Sequence, residues 1–440
     1  MRIRALVVVN LLVGMASGAL APAGPPRLIS LGNLPGEEMH STACAISPDG
    51  QIVAGYSGNN LIVEAFRWTQ ADGIVSLGDL PGWDVLSIAA DASNNGVIVG
   101  RGHSSNVGPS PSSYDFEAFR WSPAGGMVGM GDLPGSPFVS EAWGVSADGT
   151  VIVGWGVYGP GIGAPWREGW RWTAQTGLQR IGRLYENGNS WAIGVSADGS
   201  VIVGRATTGG PGYDTVAFRW HNGVMSSLGF LYPEHDYSSA FAVSGDGATI
   251  VGLSRGNQTG NHAFRWTAES GMIYLGDLPN GHRADIPYAV SGDGSIIGGR
   301  SSGGDAMLWT AENGSRVLKQ ILIEDYGLDL SAWNRLYEVQ AISDDGRSVV
   351  GKGQFWNIPS GTGSHNEAFL AYLPPLPCDL PGNVDGNCVV DARDGAAFPA
   401  CMTGPAAPGL EASCHYADVD QDTDADLADF AALQRLVAGP

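Results

Sequence analysis

Seven times along this 440-residue chain the same order of short motifs returns. Small and apolar residues lead into Ser-x-Asp-Gly. A short apolar run ending in Gly comes next, then Phe-Arg-Trp-Thr, then a Gly turn into Leu-Gly-Asp-Leu-Pro-Gly. The Ser falls at Ser47, Ser93, Ser146, Ser196, Ser244, Ser291 and Ser343, at spacings of 46 to 53 residues. One unit of that length cannot bury its own apolar face, so neighbouring units must stack. Strand-sized pieces at this period point to a circular array of blades.

The repeat from Ser239 to Leu278 shows the expected strands. Ala240 to Ser244 alternates small and bulky residues. Gly245-Asp246-Gly247 turns the chain, and Thr249 to Gly252 returns it as a hairpin. His262 to Thr267 is a third strand and Met272 to Leu275 a fourth. A fourth strand comes after each of the first six third strands, ending at Arg316 to Ile321, but none comes after the seventh. One orphan copy, Leu28 to Gly32, precedes the first hairpin. The expectation is an all-β, seven-bladed β-propeller over Leu28 to Leu373, its last blade completed by this N-terminal strand so that no edge stays unpaired. A small α-helical calcium-binding module is expected at the C-terminus.

Column by column, small residues stand four and two places before the Ser: Ala43 and Ala45, Ala142 and Gly144, Ala192 and Gly194, Ala240 and Ala242. They are expected near the crowded axis. The bulky residues between them, Trp143, Ile193, Phe241 and Tyr288, are expected to point the other way. Cys44 shares that bulky column and reads as a packed thiol. The Trp column (Trp68, Trp121, Trp172, Trp220, Trp266, Trp309) reads as packing between blades. Arg67, Arg120, Arg171, Arg219 and Arg265 alternate with it and are expected to meet backbone or Asp groups.

The formal net charge is −21, and Lys319 and Lys352 are the two lysines. So acidic a chain has little electrostatic reason to bind nucleic acid. Residues 1–23 read as a secretory signal peptide: two Arg, an apolar stretch from Ala5 to Gly18 too short for a comfortable span, then small residues. The expectation is a secreted or cell-surface protein with no transmembrane span after cleavage. Residues 374–381 are a Pro-rich linker. Four of the five Cys, Cys378, Cys388, Cys401 and Cys414, crowd into 37 residues beyond it. In an exported small domain that pattern means two disulfides. Three pairings are open; Cys378–Cys388 with Cys401–Cys414 is favoured, because each pair brackets one local turn.

Leu-Gly-Asp-Leu-Pro-Gly, Ser-x-Asp-Gly, Ile-Val-Gly and Ala-Phe-Arg-Trp-Thr together resemble the HAF family of extracellular repeats, over about Leu28 to Leu373. The resemblance implies secretion and a repeat fold, and no activity. The tail at 382–440 carries two blocks 35 residues apart. Oxygen donors recur at loop positions 1, 3, 5, 9 and 12: Asn383, Asp385, Asn387, Asp391 and Asp394, then Asp418, Asp420, Asp422, Asp426 and Asp429. That spacing wraps a hard cation in oxygen ligands, here Ca²⁺. The tail resembles a type I dockerin, with two calcium loops each leading into a helix. Cys388 and Thr423 stand where the family usually has Gly, and the first loop carries less charge. Phe398, Met402, Phe430, Leu433 and Leu436 suit either a cohesin-like partner or the tail's own small core.

No His-Glu-x-x-His and no two-His metal spacing occurs in the chain. Loops joining the fourth strand to the next first strand, and second to third, share one face. They carry Trp83, Asp84, Tyr185, Glu186, Tyr232, Glu234, His235, Asp236, Tyr237 and His282. That loop face is the expected site for a protein or polysaccharide partner. The leading expectation is a non-catalytic binding or adhesion protein, not an enzyme. The alternative is a hydrolase, lyase or accessory subunit acting on extracellular polysaccharide.

Overall fold

The computed structural model describes residues 25–36, 40–59, 62–82, 85–107, 116–134, 138–158, 166–209, 214–256, 259–356 and 365–374. They form a β-propeller of six hydrogen-bonded sheets. Five sheets are four-stranded blades, among them His40–Ile46, Val53–Gly58, Val63–Thr69 and Gly73–Ser76 in antiparallel order. The sixth sheet has eight strands, from Ser190–Val195 to Gly271–Tyr274, and takes up two repeats. This corrects the expected seven-bladed propeller. The fourth strand Val224–Gly229 pairs only with Ala217 to His221 of its neighbour. It leaves the edge at Thr215 open, and Tyr237 of the next inner strand pairs there in parallel. Val63 and Leu86 make a similar contact between the first two repeats, outside the named strands.

The α-helical part of the expected fold is corrected too. Among the described residues the one α-helix is Leu318–Glu324, inside the array. It takes over where a longer strand was expected: the fourth strand of that repeat is Gly314–Val317 only. Leu318 and Leu322, one turn apart, are buried against the last sheet and fix the helix there. The proposed signal peptide, the linker, the four tail cysteines and the calcium loops lie outside the described residues. No helix among the described residues is long and apolar enough to cross a membrane.

The N-terminal strand Arg27–Ser30 pairs antiparallel with His365–Tyr372, Arg27 opposite Tyr372 and Ser30 opposite Phe369. It forms the outer edge of the last sheet, the place expected for the orphan copy. Between successive sheets the third strand buries Phe66, Phe119, Phe218, Phe264 or Phe369, with Trp170 in the third repeat and Met307 in the sixth. An Ile from the second strand, such as Ile98, Ile152 or Ile202, is equally buried. The Trp column sits half-buried on these clusters, as Trp121, Trp172, Trp220 and Trp266 show. Arg67 pairs with Asp72 at 2.9 Å, as the column reading expected.

Polar groups link the repeats in two ways. At five junctions a buried Ser opens the inner strand. Ser140 Oγ, for example, donates to the Gly131 carbonyl at 2.7 Å and accepts from the Ala118 N–H at 3.0 Å, both in the preceding repeat. Ser41, Ser87, Ser190 and Ser238 do the same. The second link runs through the Ser-x-Asp-Gly turns. In six turns the Ser hydroxyl donates to the Asp, as Ser146 does to Asp148 at 2.6 Å, and in the second Ser93 donates to the Asn95 side-chain oxygen; each Ser also accepts from a later N–H. The x residues, with Asp246 as donor in the fifth turn, then bond from turn to turn. Asn94 N–H donates to the Ala147 carbonyl, Ala147 to Ala197, and Ala197 to Gly245. Asp246 donates to Gly292, Gly292 to Asp344, and Asp344 to Pro48.

Pro48 has no N–H to pass on. Asp49 N–H takes over and donates to the Asn94 side-chain oxygen at 2.9 Å. The irregular second copy, Ser93-Asn94-Asn95-Gly96, thus supplies an acceptor that the first copy's proline demands. Replacing Asn94 by Ala should remove that bond and lower unfolding free energy by about 1 kcal/mol. Asp at the same place keeps the acceptor and should restore most of the loss. Urea unfolding of the two variants beside the parent checks this; equal midpoints for Ala and Asp would show that the bond contributes nothing.

Candidate functional site

Each inner strand carries a β-bulge at the same point. The register shifts between Ala43 and Ala45, Ala89 and Asp91, Ala142 and Gly144, and Ala192 and Gly194. It shifts again between Ala240 and Ala242, Pro287 and Ala289, and Val339 and Ala341. The extra residue has no partner across the ladder, and the strand bends to turn it out of the sheet. Those residues meet in one cavity of about 400 Å³ on the propeller axis. Trp143, Ile193, Phe241 and Tyr288 form a bulky wall; Gln340, Cys44 and Ala90 leave the space open across from it.

This reverses the expected orientation of the column. The small residues Ala43, Ala89, Ala142, Ala192 and Ala240 are buried between sheets, at 0 to 1% exposure. The bulky ones face the axis, with Trp143 at 37%. Simple alternation along a strand cannot show this, because one inserted residue moves every later side chain to the opposite face. The sequence signal was present in the second strand. Across from the bulge stands the Gly of Ile-Val-Gly. A Cβ on Gly204 would lie 1.9 Å from the Trp191 carbonyl oxygen, and one on Gly154 would lie 2.0 Å from that of Glu141. The bulged strand approaches too closely for any side chain. Gly204→Ala should therefore cost about 2–3 kcal/mol and disturb the cavity wall. Thermal melting checks the cost, and Trp191 fluorescence checks the local shift; a parent-like melt would mean the bulge yields freely.

Charges gather around the open side. Arg101 bonds Glu141 at 3.1 Å and lies 5.2 Å over the Trp143 ring, whose Nε1–H donates to Glu141 at 2.9 Å. Lys352 pairs with Glu338 at 2.9 Å. Cys44 faces both cations, yet burial pushes its thiol up to about 12. It stays a neutral thiol, and it lines the cavity instead of packing in a core. Burial likewise pushes Tyr288 up to about 12.

Asp91 is the one carboxylate in the ring of small residues. Burial pushes it up to about 7, against the backbone N–H groups of Val145 and Ala92 that bond it. The folded protein holds this proton more tightly than the unfolded chain, where the value is about 4. Its contribution to stability is complete below about pH 4 and is lost as pH rises through about 7. Asp132, in the loop before its inner strand, is raised in the same way. His235 acts oppositely: burial and then His262 hold it low, so its contribution falls as pH drops below about 6.5. Asp91→Asn mimics the neutral form. The loss of melting temperature between about pH 5 and about pH 8 should shrink in this variant relative to the parent. An unchanged difference would place the Asp91 titration elsewhere.

Of the loop residues chosen from sequence, Trp83 and Asp84 lie outside the described residues. Tyr185 and Glu186 are exposed before the inner strand Ser190–Val195. Tyr232 and His235 meet edge to face at 5.0 Å, with His262 and Tyr274 added to the cluster. His235 is buried and bonds Ser254 at 2.8 Å through Nδ1. Glu234 is exposed, Asp236 is half-buried, and the His282 ring packs over Gly303. Tyr237 stands apart from these, between two arginines. The ten proposed calcium ligands, Asn383 to Asp394 and Asp418 to Asp429, lie outside the described residues. Among the described residues, no group of three or more His, Cys, Asp or Glu is placed to hold a metal.

No family model matches the chain, and no curated protein matches it. The resemblances to HAF repeats and to a dockerin thus stay resemblances of motif. Among solved structures, a puromycin hydrolase mutant complexed with PGG aligns over 79% of this chain and 55% of its own, at 13% identity and TM-score 0.50. An oligogalacturonate lyase in complex with manganese aligns over 80% and 97%, at 11% identity and TM-score 0.47. TolB from Acinetobacter baumannii aligns over 60% and 62%, at 13% identity and TM-score 0.36. The chain thus spans less than two thirds of the length of that TolB. At these identities the likeness to the hydrolase is one of propeller fold and nothing finer.

Proposed function

We propose that this is an exported, non-catalytic binding protein whose propeller holds its ligand in the axial cavity. The tail, loaded with calcium through its two acidic loops, serves as the attachment module. One observation carries the reading. The same bulge recurs in all seven repeats, yet it delivers seven different side chains: Cys44, Ala90, Trp143, Ile193, Phe241, Tyr288 and Gln340. Around them the framework varies less, with Ala before the bulge in five repeats, Pro287 and Val339 in the other two, and Gly across from it in all seven. A constant frame with varied inward residues supports recognition of one asymmetric ligand, because function lies in the residues a fold presents and not in the fold. The cavity size and its mix of aromatic and polar lining suit a small molecule or the end of a chain.

The test is a panel of soluble glycans and peptides offered to the full protein, with binding and product release followed together. Ala90→Trp fills the open side of the cavity from an inward position. Binding lost in that variant, with parent-like melting and no turnover, is the expected result. Product release abolished by Glu186→Gln or Asp236→Asn would replace this reading with a polysaccharide-acting enzyme.

A further inference from the structure

We infer that one mouth of the axial cavity recognises the carboxylate of an acidic sugar chain, through Arg205 and Arg255 with Trp191 and Tyr237 as ring platforms. This rests on the cavity reading above and names its ligand class.

The four residues converge on one tyrosine. Arg205 Nη1 donates to the Tyr237 hydroxyl at 3.2 Å, and its guanidinium lies 5.0 Å from the Trp191 ring. The Arg255 guanidinium lies 4.4 Å over the Tyr237 ring itself. Two repeats contribute, and their joint is the reason they meet. Tyr237 pairs with Thr215 of the preceding repeat, which carries the inner strand into reach of Arg205. Across the antiparallel ladders Trp191 faces Arg205, and Tyr237 faces Arg255.

These arginines differ in their partners from the ion-paired ones. Arg101, Arg180, Arg300, Arg335 and Lys352 each pair with a carboxylate. Among the described residues, Arg205 and Arg255 have no carboxylate ion pair. Other described arginines, Arg120, Arg167 and Arg219 among them, also lack one; what sets this pair apart is that both guanidiniums converge on one tyrosine. Two guanidiniums held on aromatic faces keep their hydrogen-bonding edges for an outside acceptor, and a carboxylate matches that fork. Trp191 and Tyr237 are each half-buried, and the ring surface outside the guanidinium contacts adds a preference for a ring bearing the charge over the bare anion, since a pyranose presents C–H bonds to it.

None of the four residues lines the cavity itself, but the inner strands carry the patch toward one end of it. Ile193 lines the cavity two residues along the strand from Trp191. The inner strands begin near Trp191 and Tyr237 and end at the Ser-x-Asp-Gly turns. The cationic mouth and the ring of turn aspartates therefore stand at opposite ends of the channel. An acidic chain is drawn to the first and repelled by the second.

The probe is a short oligogalacturonate, with its methyl ester as the neutral control, titrated calorimetrically into the full protein. The acid should bind, and the ester should bind about tenfold or more weakly, the scale of one charged hydrogen bond. Arg205→Gln and Arg255→Gln should each weaken the acid to a similar degree. Arg255 is exposed, so its loss of affinity cannot be a failure to fold. Arg67→Gln, in a surface pair with Asp72, should bind as the parent does. Acid and ester binding alike, no binding of the acid, or parent-like affinity in both Gln variants would overturn the inference. Displacement by free sulfate at the affinity of the oligomer would reduce the patch to an anion site and overturn it too. The two readings separate in Ala90→Trp. Acid binding that needs Arg205 and Arg255 but survives Ala90→Trp keeps this inference and removes the cavity as the ligand's seat. Binding that needs Ala90 but ignores charge does the reverse.

Discussion

A carbonyl oxygen stands where a side chain would begin. On the second strand of each repeat, Gly55, Gly100, Gly154, Gly204, Gly252, Gly299 and Gly351 face a backbone oxygen of the inner strand at about 2 Å from any Cβ they might carry. The rest of the propeller depends on that contact. Glycine alone admits the approach, the approach permits the bulge, and the bulge turns one residue toward the axis. The residues on either side of it are mostly Ala or Gly, because the sheets close over them; Asp91, Pro287 and Val339 are the exceptions. A motif that reads as a plain strand end, Ile-Val-Gly, is therefore the feature that builds the cavity.

The hydrogen bonds between turns give the array its second constraint. Each repeat offers one N–H and one carbonyl to its neighbours at the Ser-x-Asp-Gly tip, and no single repeat can satisfy both. Pro48 interrupts the pattern and Asn94 mends it, so two departures from the consensus in different repeats are one device. Buried serines such as Ser140 perform a similar service at the other end of the inner strands. Asp148 and Asp198 stay ionised in these turns. The Ser146 hydroxyl and the Thr150 N–H hold Asp148 below the usual carboxylate range. Asp344 behaves differently: burial, and then the nearby Asp345, Asp293 and Asp49, push it up. One end of the axis is thus a crowded carboxylate ring, and arginines gather at the other.

Much of the fold was legible in the chain. Four short strands per repeat, the turn chemistry of Ser-x-Asp-Gly and the pairing of the N-terminal strand with the last sheet all come from local patterns and from counting. They depend on residues near one another in sequence, or on an edge that must be paired. The candidate site was less legible. The column containing Trp143, Phe241 and Tyr288 was visible, but its direction was not, because a bulge inserts a residue without leaving a mark in its own strand. The loop residues Tyr232 and His235 do cluster, while Tyr237 mattered for a neighbour that the repeat pattern had set elsewhere.

The sequence by itself determined the repeat, the all-β character, the hairpin caps and the acidity. These are properties of short segments and of composition, and each copy states them independently. Only the tertiary structure decided which side of the inner strands faces the axis and that two repeats share one eight-stranded sheet. It also placed Arg205 and Arg255 on a single tyrosine. Those outcomes turn on contacts between copies some fifty residues apart, set by a one-residue shift of register and one open strand edge. A pattern that repeats cannot announce where its copies differ in space; closing the ring of turns and packing the sheets does that.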